Sequence, residues 1–401
     1  MTEPTRTSTS IIPIQQEAEL FRILLNHAGQ HDYSFVLWRL PNTQTKNLIV
    51  SFTSIHSSHT SLEELPEGFI FSPFDKQKQS HFLKADLSFS FIDGALTEPR
   101  NPIQTSSQNW LQGVVSKTHA KKVKPFYPKK IITNTSFDRE SFEQLVQKSI
   151  QNIEAGTFEK IVPSRSKVID LPDTFDAIEA FQKLCAAYPN ALVSFISIPH
   201  VGTWLGATPE LLVCVENGSI FKTVALAGTK IFEEGINPKH VAWTQKEIEE
   251  QALVSRYIIN NFKKIRLREF EEHGPKTLVA GNLMHLKTEF SVDMNATNFP
   301  QLGSVMLNLL HPTSAVCGMP LEASFEFLQQ HEGYDREFYS GYLGPVNMNN
   351  NINIFVNLRC MQLFEKQAII YAGAGVTVDS VPEQEWEETE MKLNTLLNVI
   401  L

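Results

Sequence analysis

The run Leu211-Leu212-Val213-Cys214-Val215-Glu216-Asn217-Gly218-Ser219-Ile220-Phe221-Lys222-Thr223-Val224 sets the fold class. Apolar stretches at 211–215 and 220–224 flank Glu216-Asn217-Gly218, and Asn-Gly readily accepts the positive φ angles of a tight hairpin turn. Further strand-like runs lie at 160–169, 192–198, 352–363 and 368–371. Strands that follow one another across turn residues favour antiparallel hairpins over repeated βαβ units. Phe142, Leu145, Val146, Ser149, Ile150 and Ile153 recur at helical spacing, with Asp138 placed to cap the start and Gly156 to end the element. Helices are also predicted at about 244–264, 299–309, 321–331 and 382–400. The expected class is α+β, with large, mainly antiparallel sheets and helices packed outside.

Working outward, the first 115 or so residues carry short apolar runs at 35–40, 48–52 and 87–91 that read as strands without a chemical motif. The basic cluster Lys117, Lys121, Lys122, Lys124, Lys129 and Lys130, broken by Pro125 and Pro128, reads as a solvated seam in preference to a phosphate patch. It separates a β-rich part, 1–130, from a larger part, 131–401, within one globule. A net charge of −9 disfavours nucleic-acid partners, which demand clustered Lys and Arg. A polar start and no apolar run of about 18 residues argue against a membrane span and for a cytoplasmic protein. Four widely spaced cysteines suit reduced core thiols.

Chemistry-bearing residues are sparse but suggestive. Glu247 and Glu250 share one helix face, yet Thr244-x-x-Glu247 is also a capping box that needs no metal. The last helix repeats the pattern: Ser380-x-x-Glu383 can cap its start, Glu385 and Glu388 share a face, and Lys392 lies one turn beyond Glu388, a spacing that an ordinary Glu-to-Lys surface pair also explains. Two acidic helix starts facing each other would suit magnesium, which takes few protein carboxylates and keeps other positions for water and substrate. The turn 202–210 delivers Glu210 ahead of an apolar strand; Pro209-Glu210 reads as a plain turn or, if the carboxyl lies against apolar walls, as a general acid. Lys160, at the start of a strand, is an edge lysine or, if desolvated, a base.

Taken in order, the blocks Lys160-Ile161-Val162-Pro163-Ser164-Arg165, Gly206-Ala207-Thr208-Pro209-Glu210, Ala225-Leu226-Ala227-Gly228-Thr229, His285-Leu286-Lys287-Thr288, His311-Pro312-Thr313-Ser314-Ala315-Val316-Cys317-Gly318, Arg336-Glu337-Phe338-Tyr339-Ser340-Gly341, Gly373-Ala374-Gly375 and Ser380 to Thr389 closely resemble the chorismate-binding family. That family includes isochorismate, salicylate, anthranilate and aminodeoxychorismate synthases. The resemblance runs in register over about 135–401. It implies the anthranilate synthase component I-like fold, two packed sheets with helices around them. It also implies magnesium on Glu250 and Glu388, with Glu247 and Glu385 assisting, Lys160 as base and Glu210 as acid. Tyr339 and Arg359 would hold the enolpyruvyl carboxylate, and Thr229, His285, Gly373, Gly375 and Lys392 would line the substrate site.

Aminodeoxychorismate synthases place a nucleophilic lysine where Ala227 stands, and the Ala-Leu opening of that block resembles isochorismate and salicylate synthases. The resemblance therefore implies an isomerase that adds water to chorismate, acting as a monomer with no glutaminase partner. Its product would feed menaquinone, siderophore or salicylate formation, menaquinone being the expectation. Salicylate synthesis, another chorismate-utilising activity and a non-catalytic chorismate-binding module are the alternatives. Gln251, Pro163 and Glu234-Gly235 depart from the usual family pattern.

Overall fold

A computed structural model describes residues 17–56, 61–96, 125–127, 138–232, 235, 237–280 and 283–401. Two nine-stranded antiparallel sheets form its centre. The first runs, in spatial order, β7 (Ala95–Leu96), β6 (Leu87–Ile92), β2 (Lys46–Ser51), β1 (Ser34–Arg39), β10 (Leu192–Ile198), β11 (Gly202–Thr208), β19 (Cys360–Leu363), β20 (Gln367–Gly373) and β9 (Ser164–Asp170). The second runs β14 (Glu271–Ala280), β15 (Leu283–Asp293), β13 (Ile220–Ile231), β12 (Leu211–Glu216), β18 (Ile352–Val356), β17 (Tyr342–Val346), β4 (Gly68–Ser72), β5 (His81–Lys84) and β3 (Ser54–His56). A short ribbon pairs β8 (Lys160–Ile161) with β16 (Gly318–Met319).

The period of two along a strand explains how the sheets stack. In β1, Phe35 and Leu37 point to one side, where α1 (Glu17–Gln30), α2 (Arg139–Glu154), α3 (Ala177–Ala187), α4 (Gln245–Lys264), α5 (Leu302–Leu310), α6 (Leu321–His331) and α7 (Pro382–Ile400) supply α1, α3 and α7 as cover. Val36 and Trp38 point to the other side, against Phe69 and Phe71 of β4, so this layer is the inter-sheet core. Ile70, between those phenylalanines, faces the outer side of the second sheet, which α4 and α5 cover with Val254, Ile258, Phe262 and Met306. Each such large apolar side chain contributes roughly 1.5–3 kcal/mol when fully buried. A smaller core joins α2, α6 and the β8–β16 ribbon through Phe142, Val146, Ile161, Cys317 and Leu328.

The decisive hairpin forms as expected: Glu216 pairs with Ile220, and Asn217 and Gly218 take φ of 51° and 65°. Asp138 caps α2 by accepting from the Ser141 amide, and the predicted helices at 321–331 and 382–400 keep those bounds. Four expectations are corrected. The first 115 residues hold a helix as well as strands, because Leu20, Phe21, Leu24 and Leu25 bury a helical stripe on the first sheet. The 160–169 run is two strands: Val162 donates to Cys317 and the Pro163 carbonyl accepts from Ala374, so the chain changes partners at a residue with no N–H of its own. The 352–363 run also splits, β18 lying in the second sheet and β19 in the first, with Arg359 at φ 46° between them. Ser380 does not cap α7; its hydroxyl accepts from the Thr377 amide, and Val381 occupies the N-cap. The lysine seam lies outside the described residues.

Candidate active site

Lys160 begins the β8 ribbon, and its backbone is fixed on both sides by Met319 and by the paired bonds between Ile161 and Val376. The residue is 4% exposed, and its Nζ donates to Glu250 Oε1 at 2.9 Å. Glu250 Oε2 accepts from the Gly228 amide at 3.3 Å. Burial alone would raise the Glu250 pKa, but Lys160, the Gly228 N–H and Lys392 outweigh it and hold the carboxyl below its ordinary value. Gly375 lies over this pair: a Cβ there would come within 3.3 Å of Lys160 Cε and 3.9 Å of Glu250 Oε1.

Gly228 takes φ +68°, and its carbonyl lies 2.9 Å from His285 Nδ1. Burial pushes the His285 pKa down to about 4, reinforced by Arg359 and Lys392 and opposed by the Gly228 hydrogen bond. The ring is therefore neutral near pH 7. Because a carbonyl only accepts, Nδ1 carries the proton and Nε2 presents a lone pair. The Thr229 side chain lies outside the described residues.

On the other side, α7 brings Lys392, whose Nζ donates to the Gly373 carbonyl at 2.8 Å and pairs with Glu388 Oε1 at 2.6 Å. Glu385 is buried on the same helix. Gly373 permits close packing: a Cβ would meet the Pro163 carbonyl at 3.1 Å and the Tyr339 hydroxyl at 3.3 Å. Tyr339 is buried and stacks on Tyr371 at 5.2 Å between ring centres.

Glu210 and Arg359 connect these groups. Desolvation raises the Glu210 pKa to about 7, against the opposing pull of Lys160, Lys392, Arg359 and Thr313. The carboxyl thus sits within the field of three cations from three parts of the chain. Arg359 is held by the acceptance of Ala207 N–H at its carbonyl, an approach that Gly206 allows; a Cβ at Gly206 would meet that oxygen at 3.0 Å. Its guanidinium makes no hydrogen bond or ion pair with another described residue, and burial lowers its pKa.

The glutamates do not meet as a preformed cluster: among the described residues no group of three or more His, Cys, Asp or Glu side chains is arranged to hold a metal. Glu247 acts in the capping box, accepting from the Thr244 amide at 2.6 Å. Two arginines that the sequence reading left inside motifs prove to organise the site. Arg165 reaches from β9 to α7, its Nε donating to Thr389 at 2.7 Å, its terminal nitrogen pairing with Glu390 and its guanidinium 3.7 Å from the Trp386 ring centre. Arg336, paired with buried Glu332, donates to the Val316 and Val162 carbonyls at 2.7 Å each. Glu332 in turn accepts from Ser164 N and Oγ at 2.7 and 2.9 Å. An arginine between two serines at the start of a strand was the available signal, since such a charge is buried only when fully paired.

A family model described as chorismate binding enzyme matches residues 63–401, beginning well ahead of the ordered motifs. The chain belongs to the chorismate-binding enzyme family. Isochorismate synthase EntC of Escherichia coli (strain K12) is 30% identical over 271 residues, which cover 65% of this chain and 67% of that protein. Isochorismate synthase DhbC of Bacillus subtilis (strain 168) is 27% identical over 273 residues, 65% and 68% of the two chains. Among solved structures, MenF, the menaquinone-specific isochorismate synthase from Escherichia coli, superposes with a TM-score of 0.75 at 21% identity, over 94% of this chain and 91% of that one. The last likeness is one of fold, and it shows the two-sheet α+β architecture to be that of chorismate-binding enzymes. No helix among the described residues is long and apolar enough to cross a membrane.

Proposed function

We propose that this chorismate-binding enzyme is an isochorismate synthase, an isomerase that adds water at C2 of chorismate and releases the C4 hydroxyl. The observation that carries the reading is that buried Lys160 lies within the electrostatic reach of a carboxyl, Glu210, whose pKa of about 7 leaves much of it protonated at neutral pH. Lys160 takes a proton from the attacking water, and Glu210 gives one to the departing hydroxyl, so one face removes a proton while the other supplies it. Ala227, at the position of the nucleophilic lysine of aminodeoxychorismate synthases, supports water as the nucleophile.

Chorismate is a dianion, and a chain of net charge −9 offers it no global attraction. Local cations do the binding. Arg359 makes no ion pair with a described carboxylate and presents a planar fork suited to bidentate contact with the enolpyruvyl carboxylate, a group the Tyr339 hydroxyl would also hold. His285, Thr229, Gly373, Gly375 and Lys392 complete the lining.

Magnesium fits the donor set. Glu250 and Glu388 are hard oxygen donors, each already held by a lysine, and magnesium needs only one or two protein carboxylates. Glu250 and Glu388 would hold it directly, with Glu385 and Glu247 in support. When bound it supplies positive charge opposite the ring carboxylate. Glu388→Gln is expected to weaken magnesium binding by at least about tenfold, read by titration calorimetry and by the magnesium concentration that half-saturates activity. Unaltered binding in that variant removes Glu388 from the metal set.

Incubation of the purified protein with chorismate, with and without magnesium, tests the function directly. Chromatography should show a magnesium-dependent isochorismate peak. Salicylate with pyruvate would move the reading to a salicylate synthase, and unchanged chorismate would leave a binding module.

A further inference from the structure

Against Glu210 lies a small cavity with room for about one water molecule. Glu210, Thr223, Tyr257, Thr313 and Ser314 are its polar lining, Thr223 already donating to the Leu212 carbonyl at 2.7 Å; Val254 and Leu310 are among its apolar walls. Ser314 is 2% exposed, and its Oγ makes no hydrogen bond to any described residue. Thr313 Oγ1 lies close to the Glu210 carboxyl yet is likewise buried without a hydrogen bond of normal geometry. The Tyr257 hydroxyl donates to the Leu309 carbonyl at 3.0 Å, which leaves its oxygen free to accept. A buried hydroxyl left unpaired costs about 1–3 kcal/mol, and a polar niche of this size is where an ordered water offsets that cost.

We infer that Thr313 and Ser314 hold a water against the Glu210 carboxyl, and that this hydroxyl–water group orients the acid toward the departing C4 hydroxyl. The inference rests on the proposed reaction, in which Glu210 gives the proton that leaves with the C4 hydroxyl. The attacking water leaves its proton on Lys160 as the C2–O bond forms. The C4–O bond breaks with the proton of Glu210 carried off in the released water. Once product leaves, Lys160 loses its proton to solvent and Glu210 regains one from it, so the net reaction is an isomerisation. The charged groups facing Glu210, namely Lys160 from β8, Lys392 from α7 and Arg359 between β18 and β19, all act from outside the cavity lining. Thr313 and Ser314 are positioning residues in this scheme.

The test uses the full chain with Ser314→Ala, Thr313→Val and the conservative Thr313→Ser. Infrared difference spectra between acid and alkaline pH, corrected with Glu210→Gln, isolate the protonated Glu210 carboxyl band. In Ser314→Ala and Thr313→Val the band should shift from its wild-type position. The turnover number should fall roughly tenfold with KM for chorismate nearly unchanged. Because Thr313 holds the Glu210 pKa down, its loss should also move the alkaline limb of the pH profile upward, and Thr313→Ser should restore the wild-type values. A wild-type band with wild-type turnover in both variants overturns the inference, as does an equal loss in Thr313→Ser. A wild-type chain that yields no isochorismate overturns the proposed reaction instead, while the band still decides whether the hydroxyls touch the acid.

Discussion

Replacing Lys160 by alanine is expected to lower the turnover of chorismate by roughly 10²–10⁴-fold, the range for loss of a positioned base. Chorismate and magnesium binding should largely survive, because Arg359 lies elsewhere and Glu250 keeps the Gly228 amide. The same change strips Glu250 of its strongest counter-charge, so its lowered pKa should rise toward the ordinary value. The sign follows from linkage: a carboxyl with a depressed folded pKa adds stability above its unfolded pKa and loses it as the pH falls. Lys160→Ala should therefore melt at a lower temperature than wild type at neutral pH, and the gap should narrow on acidification. Single-turnover product analysis and melting curves over a pH series check both halves. Undiminished turnover would remove Lys160 from the chemistry.

Glu210→Gln is the second large loss, of the same order, because the amide cannot give up a proton. In the wild type, kcat/KM should fall as pH rises through about 7, where desolvated Glu210 ionises. A folded pKa raised above the unfolded value means stability that is fully present at low pH and declines as pH passes through about 7. The glutamine variant lacks that decline, so its melting temperature should gain on wild type in alkaline solution. An alkaline limb that persists in Glu210→Gln would assign the limb to another group.

Local pattern carried much of the fold. The Asn217-Gly218 turn, the Asp138 cap and the Thr244–Glu247 capping box are all made within a few residues, so the sequence displays them. What it concealed depends on distant partners. Nothing near Pro163 announces that its carbonyl meets Ala374, and nothing near Arg359 announces a change of sheet. The α1 stripe went unread because its apolar residues are interrupted by Arg22, Asn26 and His27. In the site, the ordered motifs named Lys160 and Glu210 and the paired carboxylates of one helix named Glu250, but their convergence is a long-range fact: Lys160 and Glu250 are 90 positions apart. Arg165 and Arg336 were visible as letters and not as struts, since an arginine's burial is set by the carboxylates and carbonyls that surround it.

The crossing at Arg359 limits how the chain can diverge. Val356 closes a strand of one sheet and Cys360 opens a strand of the other, with only three residues between them. Side chains alternate along a strand, so one inserted or deleted residue here would turn every side chain of the following strand to the opposite face. Cys360, now in the inter-sheet core, would exchange sides with Met361, which packs under the helices. The guanidinium would leave the cleft in the same step. Length variation should therefore be tolerated in the Asn347–Asn350 loop nearby and excluded from the short link beside Arg359.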